Sequence, residues 1–506
     1  MAFYQYSTNE DGLTITRVSG ISPDETLLVP DRIDGKAVRS IGYAAFYCCS
    51  AKEIVVPEGI LRIEGHAFAK CGRLRKLTLP GSLEYIGPLA FNGCMELLSL
   101  TIPEGVRRID SEAFSWCRGL TELFFDCRDA DIGPRAFYFC LGLKGPLLLK
   151  GVQHIENAAF AACMNLREVS FASEVRALGN FAFQDCYALE QIRFEAGSGL
   201  EELGDDVFSD CRSLRTVELP GSLRSVGIGT FRDCGRLTAA VLPGSIRTLP
   251  SRTFSNCASL MRSEVPEGIG RLDPFAFHKC PKLTAVRLAP SVKELADHAF
   301  TECSALRHLD LSGVRTIEPH AFSYCDTLET IEISPEVRGL GTGSFVHCGA
   351  MNGVWLHTAG ADPGGGPLSL QESVFVPFEP AGLRWIKAKG NFPDSYDDIF
   401  IKLRRFSCKC RMALWRLTHD KGLSEESRSG YTAYLRRVSH RIMRAAVEED
   451  DIQLIGRMGE LGLILEQHCD DYIGAAGTAG ARCTGYLINY RRSRFGHLQR
   501  ERRYAL

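Results

Sequence analysis

The chain has 506 residues, with 59 Lys+Arg against 61 Asp+Glu, 45% hydrophobic content and 24% charged. A formal net charge of −2 over that length excludes a chain-wide basic nucleic-acid binder and a polyacidic solvating protein. The apolar share suits a folded protein with a large core, and the twenty cysteines are the unusual feature.

Residues 1–38 carry short strand-like alternations at Leu13–Ile15 and Thr26–Val29. They predict an atypical first turn that closes the open end of the core behind it. The opening MAFYQYSTNEDGLTITRVSG has no basic stretch leading into an apolar one, and the closing RRYAL matches no lipidation or retention signal. With no run of about 18 apolar residues, no membrane span is expected. These features point to the cytoplasm, where thiols stay reduced.

From Phe46 the motif F-x-x-C recurs in period fourteen times, at phenylalanines 46, 68, 91, 114, 137, 160, 183, 208, 231, 254, 277, 300, 322 and 345. Ten of the thirteen intervals are 23 residues, two are 22 and one is 25. Residues 98–117, LSLTIPEGVRRIDSEAFSWC, show the full unit. Leu100 and Ile102 alternate as in a strand with one buried face, Pro103 and Gly105 mark a turn, and Val106 and Ile109 open a second short strand. The stretch around Ala113 and Phe114 has room for a single helical or 3₁₀ turn before Cys117. One such unit cannot bury its own apolar face, whereas stacked copies form continuous columns of Leu on Leu and Phe on Phe. The fold class is therefore an α/β repeat solenoid with parallel sheet and short helical or 3₁₀ turns. At about 4.8 Å per strand, fourteen turns span on the order of 65 Å.

The strand pattern L-x-x-[LIV]-x-[LIV]-P, with V-x-x-I-G and A-F-x-x-C at a period near 23, resembles the leucine-rich repeats of the BspA-like class over residues 39–357. It departs from the commoner leucine-rich pattern, because Gly105 stands at the Asn/Cys position and the cysteine precedes the first strand leucine by three residues. The resemblance implies a leucine-rich repeat solenoid. It also implies an association with bacterial surface and adhesion proteins.

The cysteines from Cys71 to Cys348 sit three residues after their phenylalanine, and Cys48 or Cys49 fills that place in the first unit. Zinc sites need four ligands converging tetrahedrally, usually from paired knuckles. Cysteines 23 residues apart, stacked in a line, suit small buried hydrophobes with a weak donor. Outside the repeats only Cys408-x-Cys410 has ligand spacing. No cofactor or metal is expected.

On the first strand of each unit, the position seven after the cysteine is expected to face solvent. The row reads Thr78, Thr101, Phe124, Leu147, Ser170, Arg193, Glu218, Val241, Glu264, Arg287, Asp310, Glu332 and Trp355. Phe124 and Leu147, with Phe125 beside them, are apolar where a solvated sheet is polar, and such surface marks contact sites. The distal half is acidic at Glu218, Glu264, Asp310 and Glu332, relieved by Arg193 and Arg287. Together with Trp355, these are the candidate partner-binding residues.

Residues 358–383, rich in Gly and Pro, read as a linker. Residues 384–506 read as an all-α region: Tyr396, Ile399, Phe400, Leu403 and Phe406 share one helical face, and SRSGYTAYLRRVSHRIMRAAVEED continues the pattern. The stretch 450–490 has a faint likeness to an ankyrin-type helix pair. The basic tail from Arg491 to Arg503 is a solvated helix end on the plainer reading, and nucleic acid is not the expected partner. No phosphate loop, dinucleotide fingerprint, H-E-x-x-H or G-x-S-x-G occurs, and His278, His298, His320 and His347 read as solvated rather than ligating. The expected function is a non-enzymatic scaffold that binds a protein through its sheet face. A surface-associated adhesin is the alternative. An enzyme with its site in 384–506, where Asp397, Asp398 and Glu448–Asp451 are candidate carboxylates, ranks below both.

Overall fold

In the computed structural model the residues described are 3–9, 12–21, 26–333, 339–341, 343–348, 350, 353–357, 373–377, 413–414, 417, 425–448, 452–479 and 481–496. Two compact units divide the chain, Met1–Met351 and Asn352–Leu506.

The first unit is the expected parallel solenoid. First strands pair turn to turn, as Ser99–Ile102 does residue for residue with Glu122–Phe125. Second strands form a separate ladder, in which Arg108–Ile109 lies between Tyr85–Ile86 and Asp131–Ile132. At the N-terminal end, Gly12–Ser19 joins the second-strand ladder through Lys36–Ile41, while Thr26–Leu28 joins the first-strand ladder through Glu53–Val55. Phe3–Asn9 folds back antiparallel on Gly12–Ser19.

The third side carries the turn expected around each phenylalanine. Its hydrogen bonds are of the i→i+3 kind, as where the Ser115 amide donates to the Glu112 carbonyl and the Cys117 amide to that of Phe114. It does not run on as a helix, because two residues per unit, two before and two after the phenylalanine, are left-handed. Glu112 and Trp116 have φ of 54° and 65°, and Arg135 and Phe139 have 54° and 62°. The alternation turns every second amide outward along the solenoid: those of Glu112, Phe114 and Trp116 donate to carbonyls of Pro134, Ala136 and Tyr138 on the next turn. Most turns are thus hydrogen-bonded to their neighbours on all three sides; the first-strand ladder is interrupted between Glu122–Phe125 and Pro146–Leu149 and between Ala285–Leu288 and His308–Leu311, and the second-strand ladder between Ser225–Val226 and Thr248–Leu249. This satisfies buried backbone that would otherwise be costly and offsets the left-handed strain.

Inside, the phenylalanines form one stack. Successive rings from Phe46 to Phe345 lie nearly parallel, with centroids from 4.8 Å (Phe46–Phe68) to 5.8 Å (Phe231–Phe254) apart. That spacing exceeds ring thickness, so the rings are offset, the arrangement their quadrupoles favour. Cys49, not Cys48, takes the column place in the first unit. It is buried, while Cys48 is exposed at a left-handed position with φ of 58°.

In the second unit the described helices are α1 (Glu425–Glu448), α2 (Ile452–Glu460), α3 (Cys469–Ala479) and α4 (Ala481–Phe495). Tyr431, Leu435, Ile442, Met443 and Val447 form the buried stripe of α1. The α2 glycines let α4 approach closely, where the Tyr486 and Tyr490 hydroxyls donate to the carbonyls of Gly456 and Gly459 at 3.4 and 3.3 Å. Ser373–Pro377, inside the stretch read as a linker, pairs antiparallel with Gly353–His357.

Candidate functional site

The thiol column is structural. Each column thiol from Cys71 to Cys348 donates to the carbonyl of the phenylalanine one turn back, at 3.3 Å for Cys71 to Phe46, 3.4 Å for Cys186 to Phe160 and 3.0 Å for Cys303 to Phe277, whereas Cys127, off the column, donates toward the Lys150 and Gly151 carbonyls. Burial pushes the Cys163 and Cys348 thiols up to about 12, so they stay neutral donors at ordinary pH. Among the described residues no three His, Cys, Asp or Glu side chains converge as metal ligands. Cys408, Cys410, Asp397 and Asp398 lie outside the described residues.

The outward row of the first strands is the candidate site. Lateral neighbours follow the pairing register: Thr101 lies beside Phe124, Glu218 beside Val241, Val241 beside Glu264, and Glu264 beside Arg287. Phe124 is 54% exposed and Val241 55%. Arg193, Glu218, Glu264, Arg287 and Asp310 are exposed, Asp310 lies beside Glu332, and Glu332 is half-buried. The side chain of Trp355 lies outside the described residues.

Two expected members of the row are corrected. Leu147 is 2% exposed and points into the core, and the outward residue of that strand is Leu148, at 46%. One extra residue between Leu143 and Leu147 slips the strand by one, and pairing of Leu147 with Val169 spans 22 residues instead of 23. The connection to the second strand is two residues shorter, Leu149 to Val152 against Phe125 to Ala130, and the extra residue where Ala130 and Asp131 pair with Val152 and His154 restores the count, so the phenylalanine interval stays at 23 and hides the slip. A one-residue slip moves a side chain to the opposite face. Phe125 is also core, 5% exposed and edge-on to Phe137 at 6.1 Å. Leucine at 147, 148 and 149 alike gives no alternation to count from, so the sequence carries no signal of which one faces out.

The single 25-residue interval puts two extra residues between Phe194 and Leu203. They form a small loop, held where the Ser198 amide donates to Glu195 and the Gly199 amide to Ser173, with Gly197 at φ 76°. This loop and the sheet enclose an open groove of about 780 Å³ lined by Arg193, Ser198, Thr216, Glu218 and Val241. Arg193 is committed to Glu168 at 2.8 Å and Arg287 to Glu264 at 3.5 Å. Such exposed pairs contribute about 0–1 kcal/mol, leaving a face that can exchange partners cheaply.

The turn side holds groups that the sequence does not reveal as neighbours. Phe275, His298 and His320, all left-handed, stack at 4.9 and 5.0 Å, and burial lowers the adjacent His278. Trp116 and Phe139 meet at 4.4 Å with the Arg118 guanidinium over both rings. These are the same position on successive turns, visible only once the turn conformation is known.

Among the described residues no helix is long and apolar enough to cross a membrane. The family model described as "BspA type Leucine rich repeat region" matches six copies over residues 39–146, 130–261 and 248–357. A leucine-rich repeat protein from Bacteroides ovatus is 26% identical with a TM-score of 0.57, the match covering 70% of this chain and 92% of that one. A leucine rich cell surface protein from Faecalibacterium prausnitzii is 20% identical with a TM-score of 0.37, covering 71% and 95%. The pneumococcal vaccine antigen PcpA is 17% identical with a TM-score of 0.33, covering 69% and 87%. No curated protein matches the chain.

Proposed function

The chain belongs to the BspA-type leucine-rich repeat family, and from that premise we propose that it is a non-enzymatic scaffold that binds a protein partner through the outward face of its first strands. Solenoids of this family are typical of interaction and surface proteins. The observation that carries the reading is the contrast between faces of one unit: inside, every turn repeats Phe and Cys, while the outward row changes identity from Thr101 to Phe124 to Arg193 to Glu218. Varied exposed side chains on a frame of stacked, hydrogen-bonded turns suit recognition of an irregular surface. A polymer lattice would call for one residue type repeated. The working location is the cytoplasm, where a column of free thiols stays reduced.

The test places a photo-crosslinking side chain at Glu218 on the first-strand face or at Arg224 on the second-strand side of the full chain, in its native cell. A protein adduct at 218 and none at 224 is the expected result. An adduct at 224 alone moves the binding face. The adhesin reading gains only if external protease cleaves the chain on intact cells, which would also overturn the cytoplasmic assignment.

A further inference from the structure

The four turns bearing Cys94, Cys117, Cys140 and Cys163 carry the larger group of exposed apolar side chains on the face, Val241 and Met261 forming a smaller one. On the outward row they carry Phe124 and Leu148, and on the rim just before the strand Leu98 is 51% exposed. At the corner after the cysteine, Met95 is 54% exposed. Large exposed apolar groups on consecutive turns make a patch rather than scattered singles, although the first-strand ladder is interrupted between Glu122–Phe125 and Pro146–Leu149.

The charges around that patch are unbalanced. Among the described residues Lys144 and Arg167 on the rim make no ion pair, and the Arg118 guanidinium lies over the Trp116 and Phe139 rings. Among the described residues the carboxylates there without an ion pair are Glu122 and Asp126, against the exposed Lys144, Lys150, Arg167 and Arg118, since Glu96 is engaged by Arg75 and Glu168 by Arg193. Farther along, the row turns acidic at Glu218, Asp310 and Glu332. The apolar end of the face is therefore its cationic end.

We infer that these four turns are a docking surface for a protein segment that presents large apolar side chains interleaved with carboxylates. The inference rests on the reading of the first-strand face as the binding face. Apolar side chains of the segment cover Phe124, Leu148 and Leu98, while its carboxylates meet Lys144, Arg167 and Arg118. The acidic distal turns repel the same segment, which fixes where along the solenoid it binds.

The test uses the full chain and two labelled synthetic peptides with one leucine and phenylalanine pattern, carrying glutamate in one and lysine in the other at the remaining positions. Fluorescence anisotropy is expected to show the acidic peptide binding at least about tenfold more tightly, with the preference shrinking between ~50 and ~500 mM salt. Phe124→Asp and Lys144→Glu should each weaken it by about tenfold or more, and Val241→Asp should not. Phe124 and Lys144 are exposed, and melting curves confirm that the variants remain folded. Equal or tighter binding of the basic peptide, or no binding of either, overturns the inference. Loss through Val241→Asp alone also overturns it but leaves the face reading intact. Loss only through Arg224→Glu, on the second-strand side, removes both. A dimer in sedimentation that Phe124→Asp dissolves would show a second copy as the occupant, against the inference.

Discussion

The interior phenylalanine–cysteine columns and the outward row of the first strands share one 23-residue period and obey opposite rules. Inside, a side chain must fit the identical one on the turns before and after it, so Phe and Cys repeat. Outside, a side chain meets water on one face and only its lateral neighbours, so Thr, Phe, Arg and Glu follow one another without penalty. Period therefore reports packing, and departures from it report where packing has released its hold.

The sharpest way to break the comparison lies between adjacent residues. Phe125→Asp removes a buried ring and buries a charge, and should cost about 5 kcal/mol in denaturant melts. A small cost would mean the strand register is wrong. Phe183→Ala, in mid-stack and fully buried, should cost about 3–5 kcal/mol. A loss under about 1 kcal/mol would show that the stack contributes little.

Alkaline pH probes the thiols. A buried thiol whose folded-state value is raised, as for Cys163 at about 12, releases its proton later than the same thiol unfolded, near 8.5. Its contribution is complete below about 8.5 and is lost as pH rises from there toward 12, at about 1.4 kcal/mol per pH unit. Cys163→Ala should make the decline in stability between pH 9 and 11 shallower by about that slope, read from melts at each pH. An unchanged slope would mean the thiol is reached by water. Smallest of all, Phe124→Asp should change stability by less than about 0.5 kcal/mol, in contrast with its neighbour. A large loss would place that ring in the core and remove the contact patch.

Much of this was legible before folding. The F-x-x-C spacing announces stacked turns, and the line of cysteines excludes convergent metal ligands, because residues at one place in successive turns cannot surround a point. The outward row was legible wherever strand and cysteine kept their offset, as at Phe124, Arg193 and Glu218. It failed at Leu147, where an insertion before the strand and a compensating loss after it leave the phenylalanine interval unchanged. It failed at Phe125 because two adjacent aromatics cannot share a strand face. The turn-side rings escaped notice for another reason. A left-handed residue two places either side of each phenylalanine directs the side chain, and nothing in Trp116 or His298 as letters marks that conformation.

What the sequence alone determined is the period, the stacked interior and the chemical variety of the exposed row, because burial imposes sameness every 23 residues. What only the tertiary structure decided is which side of the sheet each strand residue faces at a slipped register, and which rings meet on the turn side. Both depend on backbone hydrogen bonds between turns, and those pair residues by position in space rather than by spacing along the chain.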